Sequence, residues 1–128
     1  MTYLAVALGS ALGGVLRFAL AGGLMRLAGG AFPWGTLAVN VAGCALIGAL
    51  ATLFPPEERG FPWRLFWLPG FCGGFTTFSS FGLEIQGLWR NSEGEKALIY
   101  MVASLVLCLL AVGIGLSVGA RITGNSSN

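Results

Sequence analysis

Charged residues are scarce in this sequence. Only 9% of its 128 residues are charged, whereas 55% are hydrophobic, and the mean hydropathy is +0.81. A soluble domain carries about 25% charged residues, so this chain has too few polar side chains to cover a surface exposed to water. The composition excludes a water-soluble domain and favours a protein that lies in a lipid bilayer.

Histidine and aspartate are absent, and there are only 3 cysteines, with no CxxC motif. Most metal-site and general-base chemistry is thereby excluded, so we do not expect an enzyme. Cys44, Cys72 and Cys108 all fall in apolar segments, where we interpret them as small buried residues without a disulfide. The net charge of +2 comes from scattered basic residues and indicates no nucleic-acid partner.

Four apolar segments are present, and each has the roughly 20 residues that a helix needs to cross the hydrocarbon core. They cover about 3–25, 36–54, 63–89 and 97–120, and the intervening loops are expected at 28–35, 55–62 and 90–96. We therefore predict an all-α membrane protein with four transmembrane helices and a single membrane domain over residues 1–128. The first segment lacks a basic start and contains Arg17, so it is not expected to be a cleaved signal peptide.

The basic residues of the predicted loops do not favour either side of the membrane. Four crossings place three of them on each side: Arg59, Arg64 and Arg121 against Arg26, Arg90 and Lys96. The positive-inside rule therefore assigns no orientation. Such a chain can insert both ways, and two oppositely inserted copies can form an antiparallel, dual-topology homodimer. The alternative is that a few charges balance by chance.

Glycine is abundant, with 21 residues, and several glycines are spaced four apart. Such pairs allow helix backbones to approach closely. The pairs are Gly9 with Gly13, Gly70 with Gly74, and Gly115 with Gly119.

The third segment combines adjacent glycines, Gly73 and Gly74, with four hydroxyl residues: Thr76, Thr77, Ser79 and Ser80. We predict that the helix is broken here, near the middle of the membrane. Irregular backbone at that depth must be buried in protein or line a wet cavity, and its freed carbonyls are natural ligands for alkali cations. Alternatively, the hydroxyls bond back to their own helix.

This segment, Gly73-Gly74-Phe75-Thr76-Thr77-Phe78-Ser79-Ser80-Phe81 followed by Glu84, resembles the signature break of the Fluc/CrcB family of bacterial fluoride channels. Trp34-Gly35-Thr36-Leu37 with Asn40, and Arg17 after Gly13-Gly14, are also similar to that family. The resemblance implies a fluoride-selective passive channel in the bacterial inner membrane, which exports fluoride and lowers its toxicity. It further implies an antiparallel dimer with two fluoride pathways and a structural sodium ion, which is not transported, at its centre.

The resemblance also implies residue roles. The backbone carbonyls of Gly73 and Thr76 would bind the sodium ion, and Phe78 and Phe81 would line the pore beside Asn40. These roles suit fluoride, a strongly hydrated ion whose water must be replaced as it moves. Asn40 and the hydroxyls of Thr77, Ser79 and Ser80 can donate hydrogen bonds, and phenyl edges are electropositive.

Two charged residues lie inside predicted spans, where charge usually has a function. Arg17 is expected either to attract anions or to extend its side chain to the interface. The role and protonation of Glu84 stay open. On the fourth segment, Tyr100 and Ser104 extend the expected anion pathway, but Cys108 and Val112 stand where the family often carries further hydroxyls.

Two other classes of membrane protein compete with a channel. A small proton-coupled multidrug-type exporter needs a titratable acid on its binding helix, and the first segment has none. A structural membrane subunit that transports nothing would leave the hydroxyl-rich third segment unexplained.

Overall fold

The computed structural model describes residues 1–54 and 62–124, and all regular secondary structure in these ranges is helical. The first helix spans Thr2–Ala28, the second Trp34–Leu53 and the last Gly94–Gly124. Each of these helices is long and apolar enough to cross a membrane. The predicted all-α class is therefore confirmed. Nearly all of the loop predicted at 55–62 lies outside the described residues, as does Arg59.

Two shorter helical segments lie between the second and last helices. The N-terminal half-helix, residues 63–75, consists of an α-turn (Trp63–Leu65), π-helical turns (Phe66–Cys72) and a further α-turn (Gly73–Phe75). Its π-helical part contains Pro69, which has no N–H group to donate. The C-terminal half-helix spans Phe78–Arg90.

Thr76 and Thr77 separate the half-helices in an extended conformation, with φ/ψ of −87°/156° and −148°/118°. The sequence prediction placed the break at Gly73-Gly74 and Thr76; Thr76 is extended, but both glycines are helical. Gly74 is required for space, because a Cβ there would lie 2.5 Å from the Ser10 carbonyl oxygen. The glycine pair therefore marks close helix packing, and the interruption begins two residues later.

The N-terminal half-helix packs closely against the first helix. Gly9 lies against the backbone of Phe66 and Gly70, and Gly13 lies against the backbone of Phe71 and Phe75. Residue numbers rise together along both elements, so the two run parallel. The glycines allow backbone-to-backbone contact that any side chain would prevent.

The second and last helices form another parallel pair. Gly48 contacts the backbone at Val112, and Gly115 contacts the backbone of Ala45 and Ala49. Gly119 continues the same contact one turn later, against Ala49 and Thr52. The glycine pairs found in the sequence thus lie where helices meet.

Large apolar side chains cover much of the outer surface of the single chain. Tyr3 and Phe18 on the first helix are 91% and 81% exposed, and Leu109 on the last helix is 66% exposed. The buried residues form two small clusters, one around Leu37 and Tyr100 and the other around Val39 and Phe75. An apolar exterior of this kind requires lipid or another protein chain as its environment.

Candidate functional site

Asn40, on the second helix, holds the extended residues in place. Its Nδ2 donates a hydrogen bond to the Thr77 carbonyl oxygen at 3.0 Å, and its Oδ1 accepts one from the Thr77 N–H at 2.7 Å. One side-chain amide therefore pairs both backbone groups of a residue outside any helix. Unpaired backbone groups are costly in a membrane, so this clamp stabilises the interruption.

Two carbonyl groups beside the interruption are bonded differently from those of a continuous helix. In a continuous helix the Thr77 N–H would donate to the Gly73 carbonyl and the Ser80 N–H to the Thr76 carbonyl. Instead, Thr77 donates to Asn40, and the Ser80 N–H donates to Thr77 Oγ1 at 3.1 Å. The Gly73 and Thr76 carbonyls thereby lose the donors that they would have in a continuous helix. They are the two carbonyls that the sequence prediction assigned to sodium.

Arg17 contacts the adjacent carbonyl. Its Nε donates to the Gly74 carbonyl oxygen at 3.2 Å, at the carboxyl end of the N-terminal half-helix. Two turns earlier on the first helix, the Ser10 hydroxyl donates to the Gly70 carbonyl at 3.3 Å. A positive charge is favourable at the negative end of a helix dipole. Arg17 therefore ties the first helix to the interruption, a role beyond the two alternatives considered from sequence.

A cavity of about 360 Å³ opens beside the interruption. It is lined by the second helix, both half-helices and the last helix, and its walls are largely apolar. Seven residues of the predicted site contribute to the lining: Asn40, Gly73, Thr76, Thr77, Phe78, Phe81 and Ser104. The structure thus brings the predicted cation ligands and much of the predicted anion pathway to one place.

Aromatic rings form one side of this region. The Phe78 and Phe81 ring centroids are 5.4 Å apart, and Phe81 is 5.0 Å from the Tyr100 ring. Phe78 is 83% exposed although it lines the cavity. The single chain therefore leaves the cavity open on the Phe78 side.

Ser104 presents an unused hydroxyl group. Its side chain is 7% exposed and lines the cavity, and its Oγ has no hydrogen-bond partner among the described residues. Buried polar atoms are normally paired. This atom is available to a ligand that enters the cavity.

The other predicted hydroxyls are placed differently. Ser79 is exposed, with its Oγ 3.2 Å from Thr77 Oγ1, and the Ser80 Oγ accepts from Thr77 Oγ1 at 3.1 Å. Neither serine is among the cavity-lining residues. Tyr100 is fully buried and its hydroxyl is already engaged, so the structure does not bring it into the cavity with the others.

Glu84 accepts two hydrogen bonds inside the protein. The Thr36 hydroxyl donates to its Oε1 at 2.6 Å, and the Tyr100 hydroxyl donates to its Oε2 at 2.7 Å. This network joins the second helix, the C-terminal half-helix and the last helix. It directs the carboxylate oxygens toward donors, which gives Glu84 a structural role that the sequence left open.

Some residues of this region were not predicted from sequence. Thr36 was quoted only as part of a motif, although it precedes Asn40 by one helical turn and so shares its face. That spacing was an available signal for Thr36. Gly43, Cys44, Ile47, Leu105 and Cys72 also line the cavity, and their small or apolar side chains gave no comparable signal.

Comparison with known proteins identifies the chain. Residues 4–116 match the model of the family described as CrcB-like protein, Camphor Resistance (CrcB). A relative from Paramagnetospirillum magneticum, named a fluoride-specific ion channel FluC, is 48% identical over 90% of this chain and 92% of its own length. A relative of the same name from Opitutus terrae is 52% identical over 88% of each chain. The resemblance in the third segment is confirmed: the chain is a multi-pass membrane protein that belongs to the CrcB family.

Proposed function

We propose that this protein is a fluoride-selective passive ion channel, as the names of its relatives state for them. The observation that carries the proposal is the interruption clamped by Asn40 beside a cavity lined by Phe78, Phe81 and Ser104. The chain belongs to a family of channels and is not an enzyme. Fluoride would leave the bacterial cytoplasm down its gradient, which lowers its toxicity.

Hydrogen-bond donors would replace the water around fluoride. The Asn40 amide uses one N–H on Thr77 and retains a second. Ser80 accepts from Thr77 and therefore keeps its own proton to donate, and the Ser104 hydroxyl is unengaged among the described residues. The electropositive edges of Phe78 and Phe81 add weaker attraction between these donors. Such a path favours a small anion that forms strong hydrogen bonds.

Two oppositely inserted copies would complete the site. Gly73 and Phe78 are both exposed on the single chain although they adjoin the cavity. A partner related by a two-fold axis would cover these residues and bring two broken third spans together. The balance of loop charges supports insertion in both orientations. We therefore propose an antiparallel, dual-topology homodimer with two anion pathways.

A structural sodium ion at the dimer centre would use the backbone carbonyls beside the interruption. Gly73 and Thr76 would hold it with backbone oxygen from each subunit, and oxygen is the ligand type that hard cations prefer. When bound, the ion would supply positive charge near the anion pathways and offset the cost of unpaired carbonyls. Arg17, bonded to the Gly74 carbonyl, adds a fixed positive charge on the same side.

Fluoride efflux from liposomes tests the channel. Purified protein is reconstituted into vesicles loaded with potassium fluoride, efflux is started with a potassium ionophore, and a fluoride electrode records the rate. We expect rapid fluoride release and no comparable chloride release from matched chloride-loaded vesicles. Equal rates for the two anions, or no fluoride release above that of empty liposomes, would refute the proposal.

The accessibility of a C-terminal tag tests the dimer. We expect comparable labelling from both sides of the membrane in cells and vesicles. Lysines added to one loop should bias insertion and reduce efflux, and an oppositely biased copy should restore it. Labelling confined to one side would exclude dual topology while leaving the efflux result intact.

Variants at the carbonyl ligands test the sodium site. A Cβ at Gly73 would lie 3.9 Å from the nearest atom of its own chain, so Gly73→Val is expected to perturb the dimer centre more than the monomer. Thr76→Ser retains the backbone oxygen and the hydroxyl that donates to Cys72, and should preserve the site. Replacing sodium with a large organic cation should lower efflux in the wild type. Unchanged efflux without sodium would remove this part of the proposal.

A further inference from the structure

Three cysteines line the cavity beside the interruption. Cys44 lies on the second helix, Cys72 on the N-terminal half-helix and Cys108 on the last helix. Cys108 stands one turn after Ser104 and contributes a thiol to the wall on which Ser104 presents a hydroxyl. The proposed fluoride path does not use any of these thiols.

Cys44 and Cys108 lie at the same level of the parallel pair of helices. Each precedes by one helical turn a residue of the close contact between Gly48 and the Val112 backbone, and both line the same cavity. The close contact of Gly115 with Ala45 and Ala49 holds the two backbones together near them. Both cysteines are partly exposed, whereas Cys72 is only 1% exposed. The accessible thiols are therefore a pair on two rigid helices.

We propose that Cys44 and Cys108 form a two-sulfur binding site for a soft divalent metal ion, of which Hg²⁺ is the representative. Thiolate ligands select soft metals, and mercury accepts two sulfur ligands in a linear arrangement. Both thiols release their protons to water as two metal–sulfur bonds form, so no oxidant is required. The resulting complex is neutral, which suits the largely apolar walls of the cavity.

The same features exclude other metal ions from this site. Zinc takes four ligands in structural sites and three in catalytic ones, and no group of three or more ligating side chains occurs among the described residues. A monovalent soft ion such as Ag⁺ would leave a negative charge on the pair of thiolates in an apolar wall. Selectivity for a soft divalent ion therefore follows from ligand number and charge.

Metal binding at Cys44 and Cys108 should block fluoride efflux. This expectation rests on the proposed channel function. Asn40 and Ser104 line the cavity one helical turn from Cys44 and Cys108, respectively. A metal ion between the two sulfurs would occupy the space beside both hydrogen-bonding groups. We expect Hg²⁺ to abolish fluoride efflux, and a dithiol chelator to restore it.

Metal retention tests the site without measuring transport. The purified chain is treated with one equivalent of Hg²⁺, washed with a monothiol and gel-filtered, and mercury is quantified per chain. The wash removes mercury held by one sulfur, whereas simultaneous attachment to two sulfurs resists it. Wild type and the matched control Cys72→Ser should retain one ion per chain, and Cys44→Ser and Cys108→Ser should retain none. Zn²⁺ should be lost from all four proteins.

X-ray absorption at the mercury edge gives a second measurement, with two sulfur neighbours expected in wild type. Elution as a monodisperse peak identifies folded variants, and Cys44→Ala replaces Cys44→Ser if that variant elutes as aggregate. Loss of mercury from wild type in the wash, or retention by both Cys44→Ser and Cys108→Ser, would overturn the proposal. If an active channel retains mercury and its fluoride efflux is unchanged, the metal site stands but the proposed inhibition of transport is refuted. If the chain retains mercury but shows no fluoride efflux even without mercury, only the proposed channel function is refuted.

Discussion

The two half-helices beside Thr76 and Thr77 are anchored in different ways. Residues 63–75 pack through glycines, with Gly9 and Gly13 of the first helix directly against their backbone. Phe78–Arg90 is held instead by polar side chains, because Asn40 bonds Thr77 and Glu84 accepts from Thr36 and Tyr100. The N-terminal half depends on the absence of side-chain volume, to which Ser10 and Arg17 add hydrogen bonds. The C-terminal half depends on particular polar atoms.

The two kinds of anchoring respond differently to mutation, and the proposed pore residues lie on only one of the two half-helices. Backbone-to-backbone contact is insensitive to the chemistry of the neighbouring side chains but does not tolerate an added methyl group. Polar anchoring tolerates small changes in volume but leaves unpaired buried groups when one partner is removed. Phe78 and Phe81, the proposed pore residues, lie on the polar-anchored half. Changes on the two sides of the interruption should therefore damage the protein by different mechanisms.

Loss of the Asn40 amide should have the largest effect. Asn40→Leu leaves the Thr77 N–H and carbonyl without their partner, and each unpaired buried group costs about 1–3 kcal/mol. We expect a marked loss of thermal stability in detergent and loss of fluoride efflux. Ile47→Leu is the matched control, because it changes another cavity-lining residue on the same helix while conserving volume. Efflux of Asn40→Leu equal to that of this control would show that the clamp is dispensable.

The sequence predicted the positions of the long helices, but it did not predict the hydrogen bonds of Asn40. Hydropathy located the helices close to their observed bounds, since Thr2–Ala28, Trp34–Leu53 and Gly94–Gly124 are long apolar runs. Family resemblance associated Asn40 with the third span. It did not predict that this amide pairs both backbone groups of Thr77, because that depends on how two distant segments pack.

Two other features were beyond sequence reasoning for physical reasons. Gly73-Gly74 and the nearby hydroxyl residues together suggested an interruption, yet close packing against Ser10 accounts for Gly74. The partners of Glu84 come from two other helices, so no local pattern identifies the Thr36 and Tyr100 hydroxyls as a pair. In a membrane helix, glycine has two competing uses, and the sequence alone does not distinguish them.

Removal of one hydroxyl from the Glu84 network should have the next largest effect. Tyr100→Phe keeps the ring that contacts Phe32 and Phe81 but deletes the donor to Glu84 Oε2. Removing one partner of a buried hydrogen bond costs about 1–3 kcal/mol, so the free energy of unfolding should fall by about this amount. Tyr3→Phe is the control, because Tyr3 is 91% exposed. If Tyr100→Phe and Tyr3→Phe have the same melting temperature, the Tyr100 hydroxyl does not anchor the C-terminal half-helix.

An added methyl group tests the half-helix that packs through glycine. Gly13→Ala would place a Cβ against the Phe71 carbonyl oxygen, whereas Gly14→Ala meets its nearest atom only at 3.9 Å. Overpacking of this kind costs about 1–3 kcal/mol. We expect Gly13→Ala to lower the melting temperature and the yield of folded protein, with Gly14→Ala close to wild type. Equal stability of the two alanine variants would contradict the proposed dependence on backbone contact.

Ser104→Ala should have the smallest effect on stability. Its Oγ is buried and has no hydrogen-bond partner among the residues that the structure describes, so removing it leaves no other group unpaired. Removing an unpaired buried hydroxyl should be neutral or slightly stabilising. Fluoride efflux should nevertheless fall, because the proposed pathway loses a donor. Thermal melting and fluoride efflux measured on the same preparation separate the two effects. Ser117→Ala is the control, because Ser117 is exposed and its hydroxyl bonds its own helix.

Unchanged efflux in Ser104→Ala would remove this hydroxyl from the proposed pathway. A large loss of stability in the same variant would show that the hydroxyl has a structural partner.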